Sequence, residues 1–291
     1  MWDFAWGWKL ADRILWNIHC EWFLFGHRYA KFFGSLFSYE GASLEVDESR
    51  FKEWEIYSKE SVRAPLIVRL DGNNFHKLAC RCGLAKPFDE GFHLVMVETA
   101  EDLMTKTGLN ISLAHTASDE ISLLFLRDAH LPFNGRIEKI LSVLASYASS
   151  SLQNRLRDRF SYRGLISFDA RIVKVHTRRE ILEYFIWRCL ESFRNFLNIY
   201  AQSLIGRKES FGMKGEEIVR ELRLRGFDIH EAPQWQRYGI LIYWRQVEKR
   251  GYNPMTGEEV TVKRRRIFTI SIDPSSLERR KLETLLPNIL S

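Results

Sequence analysis

Between Pro65 and Val175, short runs of strand character alternate with stretches of helical period in the order β-α-β-β-α-β. This order predicts an α+β fold built on a ferredoxin-like, split βαβ unit. Two further observations agree with it. The strand-like runs are brief and stop at Asp71-Gly72 and at Ser118-Asp119-Glu120, which are turn signals. Beyond residue 176 the pattern changes to long helical period and then to a late hairpin, predicting an additional helical C-terminal domain with a β-ribbon.

Each element has its own warrant. Leu66-Ile67-Val68-Arg69-Leu70 is a β-rich run ended by Asp71-Gly72. Lys86-Pro87 opens a helix, with Pro87 suited to the first helical position and Asp89 and Glu90 favourable to its dipole. Phe88, Phe92, Val95, Thr99 and Leu103 recur along it at helical spacing, and Gly108 closes it. Ile111 to His115 and Ile121 to Leu126 flank Ser118-Asp119-Glu120 as a hairpin. A second helix carries Ile137, Ile140, Leu141, Leu144, Tyr147 and Leu152 on one face, and a fourth strand runs from Phe168 to Val175. Thr177-Arg178-Arg179-Glu180 is a capping box that opens a helix to about Leu204, and Met213 to Arg225 suggests another. Gly239 to Trp244 reads as a strand, Asn253 to Gly257 as a turn, and Val260 to Ile272 as the partner strand.

The topology has a chemical consequence. In a split βαβ unit the first and third strands are antiparallel neighbours at the sheet centre. The end of the first strand then lies beside the start of the third, so Asp71 and Asp119, remote in sequence, are predicted to meet at one edge of the sheet.

Composition narrows the class. The 291 residues are 45% hydrophobic and 27% charged, which excludes wholesale disorder, collagen and low-complexity chains. Cys20, Cys80, Cys82 and Cys189 show neither a disulfide framework nor zinc spacing, which fits a reducing compartment. Charged residues interrupt the apolar start, so no run reaches the length of a membrane span, and no secretory signal pattern is present. The expectation is a cytoplasmic protein with no membrane partner. The first fifty residues are crowded with aromatics but lack a clean stripe, and they read as an extension. The division expected is 1–50 as extension, 51–176 as the split βαβ domain and 177–291 as the C-terminal domain. A net charge of +6 suits a polyanionic partner.

The converging carboxylates, with Glu120 beside the second, are what a pair of Mg²⁺ ions needs for nucleotidyl or phosphoryl transfer, although each motif alone is an ordinary turn. Arg136 and Lys139 stand at the amino end of the second helix, where cations oppose the dipole and an anion would resolve the conflict; a solvated face is the other reading. Lys86 has the same ambiguity. Gly72-Asn73-Asn74-Phe75-His76 lets backbone groups approach a nucleotide, with Phe75 better suited to the core and His76 able to donate to a phosphate. Arg171 and Arg188 belong to a scatter of positive charge in the second half of the chain. Lys263-Arg264-Arg265-Arg266 on a strand points to both faces, so two of these side chains could reach phosphates, or the run could simply protect a solvated edge. No Gly-x-Ser-x-Gly, Walker loop, His-Glu-x-x-His or dinucleotide fingerprint is present.

Arg69-Leu70-Asp71-Gly72-Asn73-Asn74-Phe75-His76, Lys86-Pro87, Ser118-Asp119-Glu120, Arg136-x-x-Lys139 with a Ser-rich helix, and Phe168-Asp169-Ala170-Arg171 occur in this order. Together they resemble the tRNA(His) guanylyltransferase family over roughly residues 54 to 270. The resemblance implies a polymerase-type palm that adds nucleotides to tRNA 5′ ends in the 3′-to-5′ direction. ATP would activate the 5′-monophosphate as an adenylate, the 3′-hydroxyl of GTP would displace AMP, and pyrophosphate would then be removed. It implies further that Asp71, the Gly72 carbonyl and Asp119 hold two Mg²⁺, with Glu120 as supporting carboxylate. The loop from Asp71 through Gly72, Asn73, Asn74 and Phe75 to His76, together with Ser118, would contact the nucleotide, while Lys86, Arg136 and Lys139 would hold triphosphate oxygens. A homotetramer acting on tRNA, foremost tRNA(His), belongs to the same expectation.

Two departures stand out. The family's Lys-Pro-Asn-Asp is Lys86-Pro87-Phe88-Asp89 here, and its His-x-Asn-Asn is Phe193-Arg194-Asn195-Phe196. The first removes a polar contact at Phe88; the second, together with Trp235-Gln236-Arg237 before the late strand, looks more like the archaeal and bacterial branch, whose members repair truncated tRNA 5′ ends by templated addition. A palm-type nucleotide cyclase and a non-catalytic RNA-binding protein are the rival classes.

Overall fold

The structure is a computed structural model that describes residues 47–126, 131–252, 255 and 257–274. The aromatic segment read as an extension lies outside the described residues up to residue 46. The chain divides into two units, Met1–Ile56 and Tyr57–Ser291. In the first, helix α1 (Glu48–Trp54) is capped by Asp47, whose carboxylate accepts the Ser49 N–H at 3.0 Å.

The second unit is organised by one antiparallel six-stranded sheet. Its strands are β1 (Leu66–Gly72), β2 (Leu113–Ala117), β3 (Glu120–Phe125), β4 (Phe168–Lys174), β5 (Ile240–Tyr252) and β6 (Glu259–Ile270), in the spatial order β4-β1-β3-β2-β5-β6. The expected split βαβ topology is present, with β1 central and antiparallel to both β3 and β4.

Successive side chains of a strand point to opposite faces, and in β1 both faces are covered. Leu66, Val68 and Leu70 enter the core formed with helices α3 (Glu90–Lys106) and α4 (Ile137–Phe160), against Val95, Met96, Leu103, Leu144 and Leu152. Ile67 enters a second cluster with Leu124 and with Tyr184 and Phe185 of helix α5 (Arg178–Leu204). A strand buried on both sides reads as a continuous apolar run, which is why this one is so plain in sequence. Arg69 and Asp71 follow Ile67 on the α5 face, and the run turns polar where α5 stops covering it with apolar groups.

The capping box that opens α5 is complete: Thr177 Oγ1 accepts the Glu180 N–H, and the Glu180 carboxylate accepts the Thr177 N–H, each at 3.1 Å. Further along, Phe196, Leu197 and Tyr200 pack with Ile218 and Leu222 of α6 (Gly215–Leu224), and Phe88 joins this third cluster.

Three details differ from the sequence expectation. Helix α3 begins at Glu90, not at Pro87, because Asp89 is the stronger cap: its carboxylate accepts both the Phe92 and the Ala85 N–H at 2.8 Å. A short helix α2 (Phe75–Cys82) follows β1 directly, burying Phe75 and Leu78, a three-residue spacing visible in the sequence. The late ribbon is continuous with the sheet, because β5 pairs with β2 through Leu113 to Thr116 before running on to Tyr252. The turn expected between its strands lies mostly outside the described residues. Among the described residues, no helix is long and apolar enough to cross a membrane.

Where β2 meets the C-terminal segment, His115 is 2% exposed and its Nε2 donates to the Tyr238 carbonyl at 2.9 Å, beside α7 (Gln234–Tyr238). Burial holds its pKa down to about 4, with the Arg188 charge adding to the effect against the Tyr238 hydrogen bond. His93, stacked on Trp235 at 4.1 Å, is likewise held to about 4 by burial. A depressed histidine pKa means that the unfolded chain binds more protons between pH 6.5 and 4. Stability is therefore full above 6.5 and falls through this window, by up to about 3 kcal/mol for His115. Calorimetric melting of the wild type should show this slope, and His115→Gln, which keeps a donor for Tyr238 without a titrating ring, should flatten it.

Candidate active site

Asp71 is placed by the register of three strands. It stands opposite Glu120 of β3 and opposite Asp169 of β4, and the next N–H, that of Gly72, donates to the Asp119 carbonyl at 3.1 Å. Asp119 belongs to the two-residue hairpin turn between β2 and β3. Ser118, the first turn residue, is left-handed at φ 52°, and its Oγ donates to Asp119 Oδ1 at 3.0 Å. The juxtaposition read from topology thus has a definite geometry: the end of the central strand is hydrogen-bonded to the residue carrying the second carboxylate.

Burial pushes the Asp119 carboxyl above the usual carboxylate range, and the negative charge of Asp71 pushes the same way, against hydrogen bonds from its own N–H and from Ser118. Two negative groups held together in a partly dry site call for a cation. Among the described residues, no group of three or more His, Cys, Asp or Glu side chains is placed to hold a metal ion. The side-chain donors side by side here are the two carboxylates, hard oxygens. Mg²⁺ fits such a set, since it commonly takes one or two carboxylates and keeps several waters.

Glu120 is differently occupied. Its Oε2 accepts from Arg188 Nη2 at 2.6 Å and lies 3.9 Å from Arg69 Nε, while Ser122 Oγ donates to Oε1 at 3.4 Å. Burial raises its pKa, with Arg188 and Arg69 opposing. Across the sheet, Asp169 accepts from Arg171 at 2.6 Å, and Arg171 reaches to 3.9 Å from Asp71. A row of carboxylates, Asp169–Asp71–Glu120, therefore crosses three strands with an arginine at either end. In the sequence Arg171 and Arg188 stand out only as scattered charge. The available signal for Arg188 is its position four residues after Tyr184, on the apolar face of a long helix.

The loop after Asp71 is held by Asn73 N–H donating to Ser167 O at 2.9 Å, and by Asn74 in the left-handed region at φ 57°. Asn73, Asn74 and His76 are exposed, as is Ser118. Phe75 is not: it is 6% exposed, with its ring edge-on to Phe168 at 5.3 Å and to Phe92 at 6.3 Å. Its ring is a core group, and only its main chain is left to face a nucleotide. A Cβ at Gly72 would lie 2.7 Å from that ring, so the close approach of loop and core requires glycine there.

The cations divide. Lys86 is exposed in the loop before α3, whose Phe92 packs on Phe75 beneath the aspartate loop. Arg136 and Lys139 are exposed at the start of α4, where Arg136 bridges to Ser61 ahead of β1. The middle of α4 meets the aspartate end, because the Phe168 N–H donates to Ser149 Oγ at 3.1 Å and Phe168 pairs with Gly72. At 1.5 Å per helical residue, Arg136 stands about 20 Å along α4 from Ser149. Arg136 and Lys139 therefore stand at the first turn of α4, ahead of the stretch that contacts Phe168.

Phe88, where the family's pattern has a polar residue, stacks on Phe196 at 6.0 Å and lies edge-on to Trp235 at 6.0 Å. Phe193 stacks on Phe196 at 5.9 Å and on Tyr238 at 5.5 Å. Both departures from the family pattern thus enter a continuous aromatic cluster.

A ferredoxin-like sheet whose central strand ends in an aspartate beside a hairpin aspartate is the architecture of a polymerase-type palm. Comparison with known proteins gives the family. A model of the family described as tRNAHis guanylyltransferase matches residues 48–176. The tRNA(His) guanylyltransferase of Debaryomyces hansenii is 33% identical over 183 residues, covering 60% of this chain and 68% of that protein. A bacterial tRNA(His) guanylyltransferase-like protein solved in complex with ATP is 30% identical with a TM-score of 0.61, covering 67% of this chain and 87% of that one. Another, in complex with GTP, is 26% identical with a TM-score of 0.65, covering 84% and 98%. The chain belongs to the tRNA(His) guanylyltransferase family.

Proposed function

We propose that this protein adds guanosine to the 5′ end of tRNA(His) in the 3′-to-5′ direction after ATP-dependent activation of the 5′-phosphate. The observation that carries the reading is the adjacency of Asp71 and Asp119, tied by the Gly72 N–H. Asp71, Asp119 and the Gly72 carbonyl are the groups we assign to two Mg²⁺, which when bound would neutralise the charge that develops on the transferred and leaving phosphates. Asn73, Asn74, His76 and Ser118 line the nucleotide, the first three on a loop whose backbone the Phe75 core contact keeps in place. Lys86 meets the triphosphate. Arg136 and Lys139, at the start of α4, also hold triphosphate oxygens. Residues 177–291 supply the tRNA-binding half, the assembly is a homotetramer, and the setting is the cytoplasm.

A second reading is templated repair of truncated tRNA 5′ ends. The stacked pair Phe193 and Phe196 favours it, because these residues stand where the His-x-Asn-Asn element of many eukaryotic members is polar. One assay separates the readings. Incubation of 5′-monophosphorylated tRNA(His) with ATP, labelled GTP and Mg²⁺ should give a product one nucleotide longer. Substrates lacking the first nucleotide of other tRNAs should remain unextended if the activity is histidine-specific and be completed if it is general repair. Binding of tRNA without extension would instead assign an RNA-binding role, and cyclic products from GTP alone would assign a cyclase.

A further inference from the structure

Helix α5 meets strand β3 with matched spacing. Tyr184 and Arg188 are one helical turn apart, a rise of about 6 Å, and Glu120 and Ser122 are two apart on a strand, roughly 6.6 Å, so the pairs fall in step. Tyr184 Oη lies 2.9 Å from Ser122 Oγ, and Arg188 Nη2 donates to Glu120 Oε2 at 2.6 Å. Arg188 is 8% exposed, and its Nε is buried without a hydrogen-bond partner among the described residues; the Nε of Arg69, on the same carboxylate, is in the same condition. The Arg188 guanidinium also rests over the Trp187 ring at 4.6 Å.

As a device for docking a helix this is poor, since a buried ion pair with unsatisfied donors is commonly no better than apolar packing. Its location supplies the reason. The carboxylate it grips follows Asp119 in sequence and stands directly across from Asp71. We propose that Arg188 is a positioning residue for the two-aspartate site: by holding Glu120 from α5, it fixes the start of β3 and hence the Ser118–Asp119 turn relative to Asp71. Glu120 on this view is the handle by which the turn is held. The proposal rests on the reading of Asp71 and Asp119 as the reacting pair.

The test compares Arg188→Gln, Arg188→Lys, Glu120→Gln and the double variant Arg188→Gln/Glu120→Gln in the full chain. Two readouts are used: Mn²⁺ affinity by electron paramagnetic resonance, and single-turnover extension of tRNA at saturating nucleotide. Loss of a residue that orients metal ligands typically costs roughly 10- to 100-fold. Arg188→Gln should weaken Mn²⁺ binding by about 10-fold and slow extension by about 50-fold, with KM for tRNA unchanged. Arg188→Lys should recover part of both, and the double variant should be no worse than Glu120→Gln alone. Unaltered Mn²⁺ affinity in a folded Arg188→Gln protein, or losses that simply add in the double variant, would overturn the proposal. Should Arg188→Gln not fold, Arg188→Lys against Glu120→Gln carries the same comparison. If the wild type binds Mn²⁺ yet extends no tRNA, the functional reading fails while Mn²⁺ affinity still decides the role of Arg188.

Discussion

Asp119→Asn should lower nucleotide addition by about a thousand-fold or more while the protein becomes no less stable. The two halves of this expectation have one cause. Asparagine keeps the shape of the turn and an acceptor for Ser118 Oγ, but it removes a negative charge that is penalised by burial and by Asp71. A carboxyl whose folded-state pKa is raised is a net cost to the fold at neutral pH, so its neutral isostere relieves the cost. The same charge is half of what the site offers a divalent cation, and charge stabilisation of the transferring phosphate is the main resource of this chemistry. Activity and melting temperature should therefore move in opposite directions, a pattern that a misfolded variant cannot give. Single-turnover extension alongside calorimetry reads both, and extension within about ten-fold of wild type would remove Asp119 from the reaction. Asp71→Asn should behave alike in activity.

The parts of this site that can be read from sequence are those fixed by local rules. The continuous apolar run of β1, the Asp-Gly and Ser-Asp turns and the helix-strand order suffice to make β1 and β3 antiparallel neighbours, and the meeting of Asp71 with Asp119 follows from that alone. The capping box at Thr177 is equally local, and α5 begins where it says. What sequence leaves open depends on competition or on distance. Both Pro87 and Asp89 mark a helix start, and Asp89 prevails because one carboxylate satisfies two N–H groups. Glu120 lies 68 residues from its partner Arg188, and no local pattern says which arginine of a basic chain will be buried against it. Helix length is legible in the apolar periodicity; which turn of the helix lies beside the aspartate end is not, because it depends on Ser149 meeting Phe168.

The second large effect should come from the projecting ribbon. Only Ile240 to Tyr243 of β5 is covered by β2, so from Trp244 onward the β5–β6 hairpin extends beyond the rest of the sheet. Its register sorts the charges by face. Arg245 stands opposite Arg266, Val247 opposite Arg264 and Lys249 opposite Val262, which places Arg245, Lys249, Arg264 and Arg266 together on one face with no carboxylate among them. Glu248 and Glu259 fall on the other face, with Lys263 and Arg265. Like charges directly across a strand pair repel, so Arg245 and Arg266 weaken the hairpin they build. Such a face is an electrostatic cost to the free protein that a bound polyanion would offset. Replacing these four residues by glutamine should leave the melting temperature equal or higher and weaken tRNA binding by about a hundred-fold or more at low salt. The slope of log K against log salt should become shallower by roughly 0.7–0.9 for each phosphate that the variant no longer neutralises. At saturating tRNA the extension rate should be preserved, since Asp71 and Asp119 are untouched. An unchanged salt slope would show that the tRNA phosphates lie elsewhere and that the basic face serves only to keep an exposed strand edge from pairing with another chain.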